Sequence, residues 1–373
     1  MAAGITPRPE RLLWLDALRG IAVLCVLAFH FIHSYAHYCS SALPQPFPAP
    51  LGWPGVLLFF VISGFVITLS AERYMSAYAF LKNRFLRIYP LYAISAVFTM
   101  FWAACKNAGI ESDPLILLKN LFLLQFLTDT PHINGIYWTL AVEAHFYILI
   151  TLMLLFSSFL GQRPENPAPP QAEKLDPRPP VGQPRMTAMM LGWLMLSLAL
   201  SPFPQLPLLP KLIMPEYAGF FVGGMLLYRI WQGTHRCIPA LYFALALCLW
   251  NSYLWRGAGH AEIHLAITLL FLAFIRLPKL QHLRMLNPLI YTGTISYALY
   301  LFHVPMGLWI IRRFELNGWD YWAAVIFAST LAFGVAAIMT FRLEKPVRDF
   351  VKSLLHRAES CSIGLLINSS IKR

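Results

Sequence analysis

The sequence predicts an all-α polytopic membrane protein: a bundle of about ten transmembrane helices with both termini in the cytoplasm. Three observations lead there. Of the 373 residues, 58% are hydrophobic, and the mean hydropathy is +0.59. Charged residues make up only 12%, about half the usual share of a soluble domain. Apolar runs near the ~20 residues that cross a bilayer recur from end to end. One membrane domain, residues 1–350, therefore uses nearly the whole chain, and a basic cytoplasmic tail follows at 351–373.

The spans are predicted near residues 12–33, 51–71, 88–106, 136–160, 187–203, 212–231, 238–255, 261–277, 288–311 and 320–341, the fifth and eighth being short. With that count, the odd-numbered connections carry only Lys106, Lys119, Lys211, Arg256, Arg312 and Arg313, and the opposite side carries the other 23 of 29 basic residues. The positive-inside rule puts the richer side in the cytoplasm. The same scatter over short loops argues against nucleic acid as the reason for the +12 net charge. The first apolar segment is longer than a signal-peptide core and is expected to stay as the first span. Among the six cysteines there is no CxxC pair and no metal spacing, so no metal is predicted. Cys39 and Cys105 both fall near the outer surface, which leaves a disulfide open.

Three connections stand out. Residues 34–50 contain "PQPFPAP", a proline-stiffened outer loop. Residues 107–135 contain "PLILLKNLFLLQFL", read as a helix that lies on the outer surface or re-enters. Residues 161–186 are Pro-rich and polar, a cytoplasmic linker with the composition of disorder. No internal or inverted repeat is visible.

The first span, "LDALRGIAVLCVLAFHFIHS", holds Asp16, Arg19, His30 and His33. Ionisable groups in hydrocarbon are costly, so a polar stripe must face the bundle interior or a wet cavity. Arg19 and His30 are eleven residues apart, which returns them to about the same helix face roughly 16 Å apart in depth. Arg19 is also explained as a basic flank that snorkels, and His30 as a packing histidine. After the second span, "FLKNRFLRIYPLY" clusters Lys82, Arg84 and Arg87. The positive-inside rule accounts for such a cluster; so does an anion seat, since two adjacent guanidinium forks suit a polyphosphate. In "IYWTLAVEAHFYIL", Glu143 falls inside the fourth span at a depth like that of His30, so the two are expected within hydrogen-bonding reach. The alternative is a structural partner for a neighbouring Arg or His. His303, two residues before Pro305, is equally balanced between structural and functional roles. In "VISGFVIT", Ser63 and Gly64 form a small-residue step of the kind used for close helix packing. Glu344, beside Arg342 and Lys345, is expected in an ion pair at the end of the last span. Trp53, Tyr137 and Trp138 near the outer helix ends are suited to stack on sugars.

Residue by residue, this describes a ten-span protein with a cytoplasmic anion seat and buried His and Glu in the outer half. It fits an enzyme that moves a group across the bilayer, and equally a proton-coupled glycolipid transporter or flippase; a scaffold subunit would not need the polar stripe.

Taken together, the segments resemble the integral-membrane acyltransferase-3 family. The carriers are "LDALRG" with Arg19 and, ten residues on, His30; "FFVISGFVIT"; "FLKNRFLRIYPLY"; "WTLAVEAHFY"; "ISYALYLFH"; and "EKPVRDF". Ala17 stands where the family often has Gly, and Thr139 where it often has Ser. The resemblance implies transfer of an acyl group, usually acetyl, from cytoplasmic acyl-CoA. The acceptor would be a sugar hydroxyl in a lipopolysaccharide, an exopolysaccharide or a glycosylated small molecule. It places function at Arg19, His30, Arg84 and Arg87. The expected setting is the cell membrane, a bacterial inner membrane. The expected mechanism has Arg84, Arg87, Lys82 and Arg19 hold the CoA phosphates and His30 act as base or acyl carrier, oriented by Glu143. Asp16, His33, Ser63, His303 and Glu344 take secondary roles.

Overall fold

The computed structural model describes residues 12–35, 53–71, 76–105, 114–128, 130–159, 183–206, 209–233, 238–281 and 284–354, and those residues form helices and no strands. Each of the ten expected segments falls on a long helix: α1 Leu13–Ala28, α2 Trp53–Ala71, α3 Ala77–Cys105, α4 Tyr137–Phe159, α5 Gln183–Leu200, α6 Pro215–Trp231, α7 Ile238–Arg256, α8 Ala258–Arg276, α9 Asn287–Leu316 and α10 Tyr321–Ile338. Six of the helical stretches are long and apolar enough to cross a membrane by length and composition. This is the architecture of a multi-pass membrane protein. The question of a Cys39–Cys105 disulfide, left open by the sequence, falls outside the described side chains, and most of the Pro-rich linker lies outside the described residues. The last residues of that linker, from Gln183, already belong to α5. The partly apolar connection at 107–135 carries two short helices, Pro114–Leu121 and Gln125–Thr128.

In lipid, apolar area alone does not drive helices together, so close packing and small residues must. Two crossings show this. Gly20 and Gly293 lie where α1 meets α9: a Cβ on Gly293 would sit 1.8 Å from the Asp16 carbonyl oxygen, and one on Gly20 would sit 2.2 Å from that of Leu289. Gly64 and Gly224 do the same for α2 and α6, with hypothetical Cβ atoms 2.1 Å from the Phe221 oxygen and 2.0 Å from the Val61 oxygen. The small-residue step in the second span is therefore a packing device at Gly64, as its sequence suggested. Its neighbour Ser63 faces another way and belongs to the site described below.

Two apolar cores result. Trp14, Leu15, Ala17, Leu18 and Ala22 of α1 join one with α2 and α4–α8. Val23, Val26, Leu27 and Phe31 of the same helix and its continuation join the other, with α3, α9 and α10. The outward faces stay apolar, as at Ile148, Leu152, Leu155 and Phe156 of α4 and Ile326, Phe327 and Leu331 of α10. Facing hydrocarbon, these side chains leave no polar group unsatisfied.

Irregularities sit where the polar residues are. α1 runs into a π-helical turn, Phe29–Ser34, which carries His30 and His33. α10 runs into another, Met339–Glu344, and the helix continues past Pro346 to Leu354. π turns recur at functional sites because the wider turn re-aims side chains. Inside α9, Pro305 has no N–H to offer Leu301. The Ser95 hydroxyl of α3 donates to that carbonyl instead, at 3.2 Å, as the absence of water requires.

Candidate active site

A cavity of about 830 Å³ runs between the two cores. It is lined by α1 (Asp16, Arg19), α2 (Phe60, Ser63), α3 (Arg84, Arg87), α4 (Thr139, Glu143, Tyr147), α9 (Tyr297, Tyr300) and the extension of α10 (Glu344, Arg348, Asp349, Lys352).

At its charged end, Arg19 Nη1 donates to Asp16 Oδ1 at 2.9 Å, three residues back on the same helix. Arg19 also interacts electrostatically with Arg87 and Glu143. Arg84 is 7% exposed. Its Nη2 donates to the Ser70 hydroxyl at 2.6 Å, and that hydroxyl donates to the Val66 carbonyl at 2.7 Å. The buried Arg84 Nε has no hydrogen-bond partner. A buried, charged N–H left unmade is costly. Arg87 is exposed and lines the same wall.

Midway, Glu143 Oε1 accepts from the Ser63 hydroxyl at 2.9 Å and from the Tyr147 hydroxyl. These bonds correct the expectation that Glu143 orients His30. The carboxylate is held by α2 and by its own helix, and it faces the arginines.

Thr139 and Tyr300 also line the cavity, and their hydroxyls lie 2.6 Å apart. Next to Tyr300 stands a histidine pair. The Tyr300 ring is 6.0 Å from that of His303, and His303 Nε2 lies 3.2 Å from His30 Nδ1. His30 is thus not a lining residue of the cavity, although Arg19 on the same helix is.

The hydrogen bonds determine where the protons sit. His303 Nδ1 lies 3.0 Å from the Leu299 oxygen and 2.9 Å from the Tyr300 oxygen. Carbonyls only accept, so His303 Nδ1 carries the proton and its Nε2 is the acceptor. His30 Nδ1 lies between that nitrogen and the Val26 oxygen, 3.0 Å away, so it too must donate. The lone pair of His30 is therefore on Nε2, away from its protein partners. An imidazole oriented through its other nitrogen is the arrangement a base or nucleophile needs.

Other expected residues lie apart. Lys82 is not a lining residue; its ammonium stands 5.8 Å over the Tyr78 ring. His33 stacks on Phe29 at 5.4 Å, with its Nδ1 buried and unpartnered. Glu344 does line the cavity, but its ion-pair partner is Arg348 at 3.7 Å, one helical turn on, rather than Arg342 or Lys345. Tyr147, Tyr297 and Tyr300 were not singled out in the sequence. The one hint was position: Tyr147 follows Glu143 by four residues, and Tyr300 precedes His303 by three, so each shares a helix face with a singled-out residue. Among the described residues, no group of three or more His, Cys, Asp or Glu side chains could hold a metal ion.

The sequence model of a family described as an acyltransferase domain matches residues 12–341. The chain belongs to this acyltransferase-3 family. It is 29% identical over 184 residues to an "O-acetyl transferase" of Shigella phage Sf6, covering 40% of this chain and 53% of that protein. It is 30% identical over 159 residues to "Acyltransferase MdmB" of Streptomyces mycarofaciens, covering 39% of this chain and 40% of that one. A "putative acetyltransferase ORF330" of Acidianus two-tailed virus aligns over 301 residues at 23% identity, 78% of this chain and 81% of the viral protein. The chain thus matches about half or less of the first two relatives' lengths. No solved structure matches it.

Proposed function

We propose that the protein is a membrane O-acyltransferase. It takes an acyl group, most simply acetyl, from acyl-CoA at a cytoplasmic mouth and passes it to a sugar hydroxyl on a surface glycan or glycosylated small molecule. One observation carries the reading: the cavity lined by Arg19, Arg84 and Arg87 is also lined by Tyr300, whose ring lies 6.0 Å from that of His303, the hydrogen-bond partner of His30. The family, and relatives named as acetyl- and acyltransferases, favour this over a transporter.

In this reading Arg84 and Arg87, which line the cavity, hold the donor's diphosphate through charge-assisted hydrogen bonds. Arg19 and Glu143 stand next along the wall and balance charge as the pantetheine arm enters. The thioester passes Thr139 and Tyr300 to reach His30. His30 Nε2 takes the proton of the acceptor hydroxyl, the oxygen attacks the thioester carbon, and the C–S bond breaks. The imidazolium then returns its proton to the CoA sulfur. Nδ1 keeps its proton throughout, held by His303 and the Val26 carbonyl.

CoA release from acetyl-CoA by the purified protein, with a glycan acceptor, tests the reading. His30→Ala is expected to lower kcat on the order of 10²–10⁴-fold while acyl-CoA still binds. Arg84→Ala with Arg87→Ala is expected to raise the KM for acyl-CoA roughly tenfold or more, the loss of one or two charged hydrogen bonds. Near-normal transfer by His30→Ala would refute the base. Movement of an unmodified glycolipid between leaflets with no CoA released would return the transporter.

A further inference from the structure

Arg348 and Lys352 have no part in the mechanism so far, yet they line the same cavity as Arg84 and Arg87. Their position follows from length. The helical stretch from Tyr321 to Leu354 has 34 residues, about 51 Å at 1.5 Å per residue, against a hydrocarbon core of about 30 Å. α3, with 29 residues, overruns by roughly 13 Å on the same count. Both projecting ends border the mouth: the start of α3 brings Arg84 and Arg87, and the end of α10 brings Arg348 and Lys352. The latter two are four residues apart and share one helix face.

We propose that this projecting end of α10 is a second anion seat. Arg348 and Lys352 take the ribose 3′-phosphate of a nucleotide thioester while Arg84 and Arg87 take its diphosphate. This rests on the acyl-CoA reading and adds a recognition element to it. The donor carries two anionic groups separated by a ribose, and one pair of guanidinium forks cannot serve both. Arg348 is available for the second. Its contact with Glu344 is 3.7 Å long, well beyond the ~2.8 Å of a satisfied charge-assisted bond. Lys352 has no ion-pair partner among the described residues. Glu344 and Asp349 share the rim. Their negative charge repels any anion, so a phosphate is held there only when Arg348 and Lys352 grip it together.

The test uses full-length protein in nanodiscs free of anionic lipid, with acetyl-CoA and acetyl-3′-dephospho-CoA as rival donors. The readout is the ratio of their kcat/KM values on one preparation, so folding yield cancels. Wild type is expected to prefer the 3′-phosphorylated donor on the order of tenfold or more. Arg348→Gln with Lys352→Gln should bring the ratio to near one, and Lys352→Gln alone part of the way. Arg84→Ala should weaken both donors and keep the ratio. A wild type indifferent to the 3′-phosphate, or a ratio unchanged in the double variant, overturns the second seat and leaves the donor reading standing. A ratio near one that appears only when anionic lipid is added assigns the two cations to a lipid phosphate and also overturns it. No CoA release from either donor by wild type sinks both.

Discussion

The histidine pair combines a local contact with a long-range one. The Val26 carbonyl, one turn back on the same helix, already requires His30 Nδ1 to donate. The carbonyls of Leu299 and Tyr300 fix the His303 tautomer, and its Nε2 then adds a second acceptor that aims the same N–H toward α9. In the proposed mechanism His303 is a positioning residue. His303→Phe is expected to lower kcat roughly a hundredfold, within the range of general-base effects, with the KM for acyl-CoA little changed. His303→Gln keeps an acceptor for His30 Nδ1–H and should recover much of the loss. Equal damage by both variants, or a matching rise in KM, would count against a positioning role. Arg19 and Glu143 stand out by the cost of polar groups in lipid, Arg84 and Arg87 as a basic cluster suited to an anion, and Ser63 as part of a small-residue step; the structure gathers all five around one cavity. Lys82, of the same basic cluster, lies off the cavity. The sequence could not separate it, because adjacent residues of a helix differ by a rotation that only the neighbouring helices reveal.

At the level of helices, position along the helix was legible and direction was not. Glu143 lies six residues into α4 and His30 four residues before the end of the π turn. At 1.5 Å per residue these are about 9 and 6 Å from their respective helix ends. Glu143 turns toward Ser63 of α2, and His30 toward α9. Apolar periodicity carries little azimuthal information when every face of a span is apolar. The close crossings were more readable, because only glycine allows them. Gly64→Val places side-chain atoms where the Phe221 carbonyl already lies. Overpacking of this kind costs about 1–3 kcal/mol or more, so the thermal midpoint in detergent is expected to fall. Gly192→Ala, where a Cβ meets nothing within 4 Å, is the control and should leave it unchanged. If the two variants melt alike, the crossing is looser than described.

Among the described residues a helix falls on each apolar segment expected from the sequence, and six helical stretches are long and apolar enough to cross a membrane. Which helices are neighbours was not written in the pattern. Lipid-facing and core-facing residues are both apolar, so α1 against α9, or α2 against α6, is a matter of shape. Orientation is predicted from the basic bias alone. On the expectation that both termini are cytoplasmic, Ser353→Cys in a cysteine-free background should react with a membrane-impermeant maleimide in inside-out vesicles and not in right-side-out ones. The opposite pattern would put the arginine mouth outside, away from any cytoplasmic thioester. The division of α1 between two cores also has a consequence for biogenesis. The ribosome makes His30 some 270 residues before His303, so most of the chain enters the bilayer while that imidazole has only the Val26 carbonyl of its own helix. If His30 is the base proposed above, the site is complete only when α9 packs beside a helix that has been waiting since the start of synthesis.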